Sequence, residues 1–237
     1  MFGRLTPMVK NLIILNVVFY VCTVFIAPDL YDLFALWFFK NPNFELWQPI
    51  THMFMHSRID LSHILFNMLW LLILGSDVET WMGSKKFLFF YIASGIGSFL
   101  AVAGINFVEY ELAIADLMQQ GYERADIISA YNEKLLVADN VKDYWTPMVG
   151  ASGAIYGIMA GYMYLFANRT IQLLFIPIPI KVKYLIGFFI GREVLATFNI
   201  IESTPGVAHL AHFGGAVFGF VMIWYWKKND MNKHRLY

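Results

Sequence analysis

Two residues of this chain carry the side chains of nucleophilic catalysis, and both stand where polar groups are costly. Ser152 lies in Gly150-Ala151-Ser152-Gly153 at the mouth of one apolar stretch, and His212 lies near the mouth of another. A serine hydroxyl is a poor nucleophile at neutral pH and needs a base to take its proton, so a serine and a histidine brought together can support covalent catalysis. Ionisable groups inside membrane spans face a bundle interior or a water-filled cavity, which marks the pair as a functional candidate. On a third apolar stretch His63 and Asn67 are four residues apart, so one helix face can present both side chains.

The elements that must position these residues follow from composition. Of 237 residues, 59% are hydrophobic and 14% charged, too apolar for one soluble core to hide, and the fold class expected is an all-α polytopic membrane protein. A net charge of zero excludes a global basic surface, so no nucleic-acid partner is expected. Cys22 is the single cysteine, which excludes disulfides within the chain and thiolate zinc sites. His52 and His56 are spaced i, i+4 without an accompanying H-E-x-x-H, so hydrogen bonding in a loop is expected of them, with no metal and no cofactor.

Six spans are expected, at about 11–27, 61–81, 87–107, 147–167, 182–198 and 207–226, each near the roughly 20 residues that cross a bilayer. The first is read as a retained anchor, because Phe25 does not suit a small-residue cleavage site before Ala27. Residues 28–60 form a long loop whose aromatics (Tyr31, Phe34, Trp37, Phe38, Phe39, Phe44, Trp47) suit a segment lying at the lipid–water interface. Trp70, Trp81, Trp145 and Trp226 are read as interface anchors, and Cys22 as ordinary packing. The loop 109–146 concentrates eight of the 17 acids. Its apolar residues Leu112, Ala115, Leu117 and Met118, then Ile127, Ile128, Tyr131, Leu135 and Leu136, predict short amphipathic helices.

Basic residues set the orientation. With the N-terminus in the cytoplasm, eleven (Arg4, Lys10, Lys85, Lys86, Arg169, Lys181, Lys183, Lys227, Lys228, Lys233, Arg235) fall inside and five (Lys40, Arg58, Arg124, Lys134, Lys142) outside, which favours both termini cytoplasmic. Arg192, the remaining one, is read with Glu193 as a pair satisfied within the bundle. The second, fourth and sixth spans then run from outside to inside. His63, Asn67, Ser152 and His212 each fall within roughly 10 Å of an outer span end, at 1.5 Å per residue. His209 is placed nearer the water boundary than His212. Four polar residues from three helices at one level describe a cavity open to the outside.

These residues resemble the rhomboid family of intramembrane serine proteases. The chain has that family's H-x-x-x-N in His63-Ile64-Leu65-Phe66-Asn67, its G-x-S-G in Gly150-Ala151-Ser152-Gly153, and its A-H-x-x-G-x-x-x-G in Ala211-His212-Phe213-Gly214-Gly215-Ala216-Val217-Phe218-Gly219. The resemblance covers about 47–226 and implies a single rhomboid-like membrane domain over 1–237. It implies Ser152 as nucleophile, His212 as general base, His63 and Asn67 as donors to the oxyanion, and Tyr156 packed on the base. Gly150, Gly153, Gly215 and Gly219 are the supporting small residues. One departure is visible: many bacterial members carry Trp-Arg where this chain has Trp47-Gln48, so an arginine anchor for the first loop is not carried over.

Peptide hydrolysis needs a nucleophile, a proton acceptor and preorganised donors for the carbonyl oxygen, often worth about 3 kcal/mol per donor. Pro147, Gly150 and Gly153 predict irregular chain over 146–151, with regular helix starting near Ser152, whose N–H would then be free to donate. No acid is placed by the sequence to orient the base, so the expectation is a Ser-His dyad. The expected function is an intramembrane serine endopeptidase of the bacterial cytoplasmic membrane that cuts single-span proteins near the outer face of the lipid bilayer. The alternatives are an inactive rhomboid-like binder, against which the intact Ser152 and His212 argue, and a small transporter, which predicts an internal pseudo-symmetry that the spans lack.

Overall fold

A computed structural model describes residues 5–135, 144–172, 178–202 and 208–233, and the side chains as far as 229. It is mostly helical. Helix α1 (Pro7–Val21) has proline in its first turn, where the missing N–H costs nothing, and runs on as a π-helical turn over Cys22–Ile26. Two short helices, α2 (Leu30–Phe34) and α3 (Gln48–Thr51), punctuate the first loop. Helix α4 (Leu61–Trp70) is capped by the Asp60 carboxylate, which accepts from the Ser62 N–H, and passes through a π-helical stretch into α5 (Ser76–Met82). Then come α6 (Ser84–Gln119), α7 (Arg124–Asn132), α8 (Ser152–Phe166), the two-residue strands β1 (Thr170–Ile171) and β2 (Ile180–Lys181), α9 (Val182–Thr197) and α10 (His209–Lys233). β1 and β2 pair antiparallel.

Among the described residues, three helical segments are long and apolar enough to cross a membrane: Pro7–Ile26, Leu61–Met82 and Ser84–Gln119. Helices α8 and α9 fall inside the expected spans 147–167 and 182–198, while α10 runs past the expected end at 226, and the expected start of that last span, at 207, lies outside the described residues. The core is centred where α8 meets α6 and α10. α8 and α10 touch backbone to backbone: a Cβ built on Gly215 would fall 2.0 Å from the Gly153 carbonyl oxygen, and one on Gly219 2.4 Å from the Gly157 Cα. This close approach requires glycine on both helices. α9 packs against α10 and α8, and its Phe189 meets Trp70 edge-on at 5.3 Å.

Two sequence expectations change. Helix α6 does not end near Phe107 but continues to Gln119, so Leu112, Ala115, Leu117 and Met118 belong to its continuation and not to a separate amphipathic helix. α7 supplies the second group, with Ile127 and Tyr131 buried, while Leu136 lies outside the described residues. The first loop is also less interfacial than its aromatics suggest. Phe38 stacks on Tyr144 at 4.5 Å and meets Tyr110, while Trp37 packs edge-on against Trp145. The projecting end of α6 with α7 gives these rings a protein surface to cover, and their large apolar area goes there instead of to lipid. Trp145, taken for an anchor, is part of that cluster.

Candidate active site

The first loop builds the wall on which the serine stands. Leu36 and Met148 exchange both backbone hydrogen bonds, at 2.9 and 2.8 Å, and the Gly150 N–H donates to the His52 carbonyl at 3.0 Å. The segment before Ser152 is therefore held out of the helix by residues about a hundred positions earlier. Gly150 has φ +127°, and a Cβ there would lie 2.7 Å from His63 Nε2, so glycine is demanded twice over. Regular helix begins at Ser152, as the sequence predicts, and the Ser152 N–H falls in the first turn, where intrahelical acceptors are missing.

Buried Gln48 organises the loop itself. Its Nε2 donates to the carbonyls of Asn43 (2.9 Å) and Leu33 (3.3 Å), and its Oε1 accepts from the Trp37 N–H (3.3 Å). His52 is buried, with Nδ1 2.9 Å from the Gln48 carbonyl. His56 is fully buried against the His63 ring at 5.1 Å. Burial pushes His52 down to about 4, and burial with His63 beside it pushes His56 down to about 3, so both rings are neutral at pH 7.

Ser152 and His212 meet: His212 Nε2 is 2.8 Å from Ser152 Oγ. The Tyr156 ring lies parallel to the His212 ring, 4.3 Å between centroids and 11° between planes, and fixes its orientation. His63, Asn67, Gly150, Ser152 and His212 all line one cavity of about 1960 Å³. Asn67 is buried and spends one amide hydrogen on the His63 carbonyl at 2.7 Å, while the Ser57 N–H reaches His63 Nδ1 at 3.4 Å. Gly153 faces Ser98 of α6, and Gly153 and Gly215 form the α8–α10 contact that brings the serine and histidine helices together.

The sequence places no acid beside His212, but the structure does. Glu193, on α9, places Oε2 3.0 Å from His212 Nδ1 and 2.6 Å from His209 Nδ1, and Oε1 accepts from the Tyr156 hydroxyl at 3.0 Å. Its contact with Arg192, offered by the sequence as its partner, is the longest at 3.4 Å. His209 is buried on this carboxylate. One signal for Glu193 was available: consecutive helix residues do not face each other, so a buried acid beside Arg192 had to find its main partners on other helices.

A family model described as Rhomboid domain matches residues 43–229. The chain belongs to the rhomboid family. It is similar to RHOMBOID-like protein 12, mitochondrial, of Arabidopsis thaliana, with 30% identity over 162 residues, 68% of this chain and 41% of that protein. It is also similar to the rhomboid protease AarA of Providencia stuartii (31% over 180 residues, 74% of this chain and 54% of AarA). With the rhomboid protease GlpG of Photorhabdus laumondii it shares 22% identity over 230 residues, 97% of this chain and 65% of GlpG. The chain thus spans 41% to 65% of the length of these rhomboid relatives. Within this rhomboid chain Gln48, a neutral side chain, ties the first loop to itself where many bacterial members carry arginine.

Proposed function

We propose that the chain is an intramembrane serine endopeptidase that cleaves single-span membrane proteins near the extracytoplasmic face. In this reading it is one rhomboid-like domain of six spans with both termini cytoplasmic, in a bacterial cytoplasmic membrane. The observation that carries the proposal is the 2.8 Å contact between His212 Nε2 and Ser152 Oγ in a largely apolar cavity that His63, Asn67 and Gly150 also line. Ser152 Oγ attacks the scissile carbonyl while His212 Nε2 takes its proton. The resulting oxyanion is met by the Ser152 N–H and by donors from His63 and Asn67, whose amide keeps a second hydrogen after serving the His63 carbonyl. His212 then gives the proton to the leaving amine, and water hydrolyses the acyl-serine with His212 again as base.

The test is labelling of the purified full-length protein by a fluorophosphonate probe, with mass spectrometry of the adduct, beside cleavage of a model transmembrane substrate. Labelling at Ser152 and loss of both activities in Ser152→Ala support the proposal. A folded wild-type protein that neither labels nor cleaves would leave the inactive binder as the better reading.

A further inference from the structure

We infer that Glu193 is a positioning residue that turns the Ser152–His212 pair into a Ser-His-Glu triad, an inference that rests on the protease reading above. An ionised carboxylate is an acceptor with about four lone-pair sites. Around Glu193 four donors face them: the Tyr156 hydroxyl at 3.0 Å and Arg192 Nη1 at 3.4 Å on Oε1, and the Nδ1 atoms of His209 at 2.6 Å and His212 at 3.0 Å on Oε2. The side chain is 4% exposed, and a carboxylate so deep in a bundle is costly unless its charge is used.

The arrangement decides a tautomer. Because Glu193 Oε2 only accepts, His212 Nδ1 carries the hydrogen, so Nε2 holds the lone pair that faces Ser152 Oγ. When Ser152 attacks, its proton moves to Nε2. The Nδ1–H stays on the ring, and the new positive charge lies beside a carboxylate that remains ionised throughout. Glu193 also grips the hydroxyl of Tyr156, the ring stacked on His212, so one acid fixes the base by its edge and by its face. His209 places a second imidazole hydrogen on Oε2, which holds that oxygen in line with His212.

The experiment compares full-length wild type, Ser152→Ala, Glu193→Gln and Glu193→Asp, at equal folded concentration in one detergent, on a model transmembrane substrate. Glu193→Gln is expected to lower kcat by roughly 10²- to 10⁴-fold with KM nearly unchanged, and Glu193→Asp to recover part of the loss. A role confined to holding α9 in place would move KM and stability without this split. Glu193→Gln within about threefold of wild-type kcat, with Ser152→Ala dead, overturns the triad and leaves the protease reading standing. Activity that survives in Ser152→Ala overturns the protease reading itself. Should Glu193→Gln not fold, ¹⁵N-histidine NMR of the wild type decides, with the His212 signals assigned by their loss in His212→Asn. A protonated Nδ1 and bare Nε2 support the inference, and the opposite tautomer overturns it.

Discussion

Gly215 lies against the backbone of Gly153, so close that a single methyl group on Gly215 would fall 2.0 Å from the Gly153 carbonyl oxygen. The residues on either side of this contact are the proposed reacting ones: Ser152 precedes Gly153, and His212 sits one helical turn before Gly215. The 2.8 Å Ser152–His212 distance is therefore set by a glycine-to-glycine seam. We predict that Gly215→Ala separates α8 and α10 and lowers kcat by about 10²-fold, the cost of roughly 1 Å of misplacement. Wild-type kcat in a folded Gly215→Ala protein would dismiss the seam as the determinant of that distance.

The two histidines of α10 are predicted to differ. His212→Ala should abolish cleavage and fluorophosphonate labelling. His209→Ala should reduce activity partially, because Glu193 loses one of its donors while His212 keeps its own contact to the acid. Side-by-side rates at equal folded concentration check this, and an active His212→Ala with a dead His209→Ala would reverse the assignment.

Gln48 should behave as a structural anchor. Gln48→Ala strands the buried Trp37 N–H and leaves the part-buried carbonyls of Asn43 and Leu33 to water, with an expected loss of about 1–2 kcal/mol. Gln48→Arg can serve the two carbonyls but offers the Trp37 N–H no acceptor, so an intermediate loss is expected. Unfolding midpoints of the three proteins in one detergent decide the ranking.

The first loop should also weaken in acid. His52 and His56 titrate near 4 and 3 in the folded chain but near 6.5 when exposed, so the unfolded state binds more protons between these values. Their contribution is fully present above about pH 6.5 and falls as pH drops toward 4, on the order of 3 kcal/mol for each ring. Unfolding midpoints from pH 7.5 to 4.5 test this. The His52→Gln and His56→Gln pair should flatten the slope, and an unchanged slope in that double variant would refute the assignment.

Substrate access is expected between α4 and the outer end of α9. Phe66 and Phe198 are largely exposed and line the same cavity as Ser152, with Leu195 close by on α9. A substrate helix must enter sideways and unwind there, so Phe66→Ala with Phe198→Ala should raise turnover of helical substrates. Unchanged or lower turnover in the folded double variant would argue for another route.

The parts of this site that were legible in the sequence are those written as linear motifs. Ser152, His212, His63 and Asn67 could be found because each sits in a short pattern on an apolar stretch, and the helix start at Ser152 was readable from Pro147 and Gly150. Glu193 was not, since the residue that brings it to His212 is a neighbour in space on a different helix, and Arg192 beside it offered a local explanation. The length of α6 was misread for a different reason. Glu109 and Glu111 mark where lipid can end, but charge does not stop a helix, and no glycine or proline appears until Gly121, which takes φ +97°. The first-loop rings Trp37 and Phe38 read as residues of the lipid–water interface because their partners, Tyr110, Tyr144 and Trp145, are remote in the chain.

Glu193 stands four residues before the end of α9, the same helix whose last turn carries Leu195 and leads into Phe198. The proposed nucleophile and base belong to the glycine-sealed pair α8 and α10, whereas Glu193 rides on the helix that borders the proposed entrance. On the access route expected above, a swing of α9 to admit a substrate would carry the carboxylate away from His212. Opening and reactivity would then be mutually exclusive, like a door whose latch completes the circuit, and in the protease reading a chain standing open to lipid is one whose serine is idle.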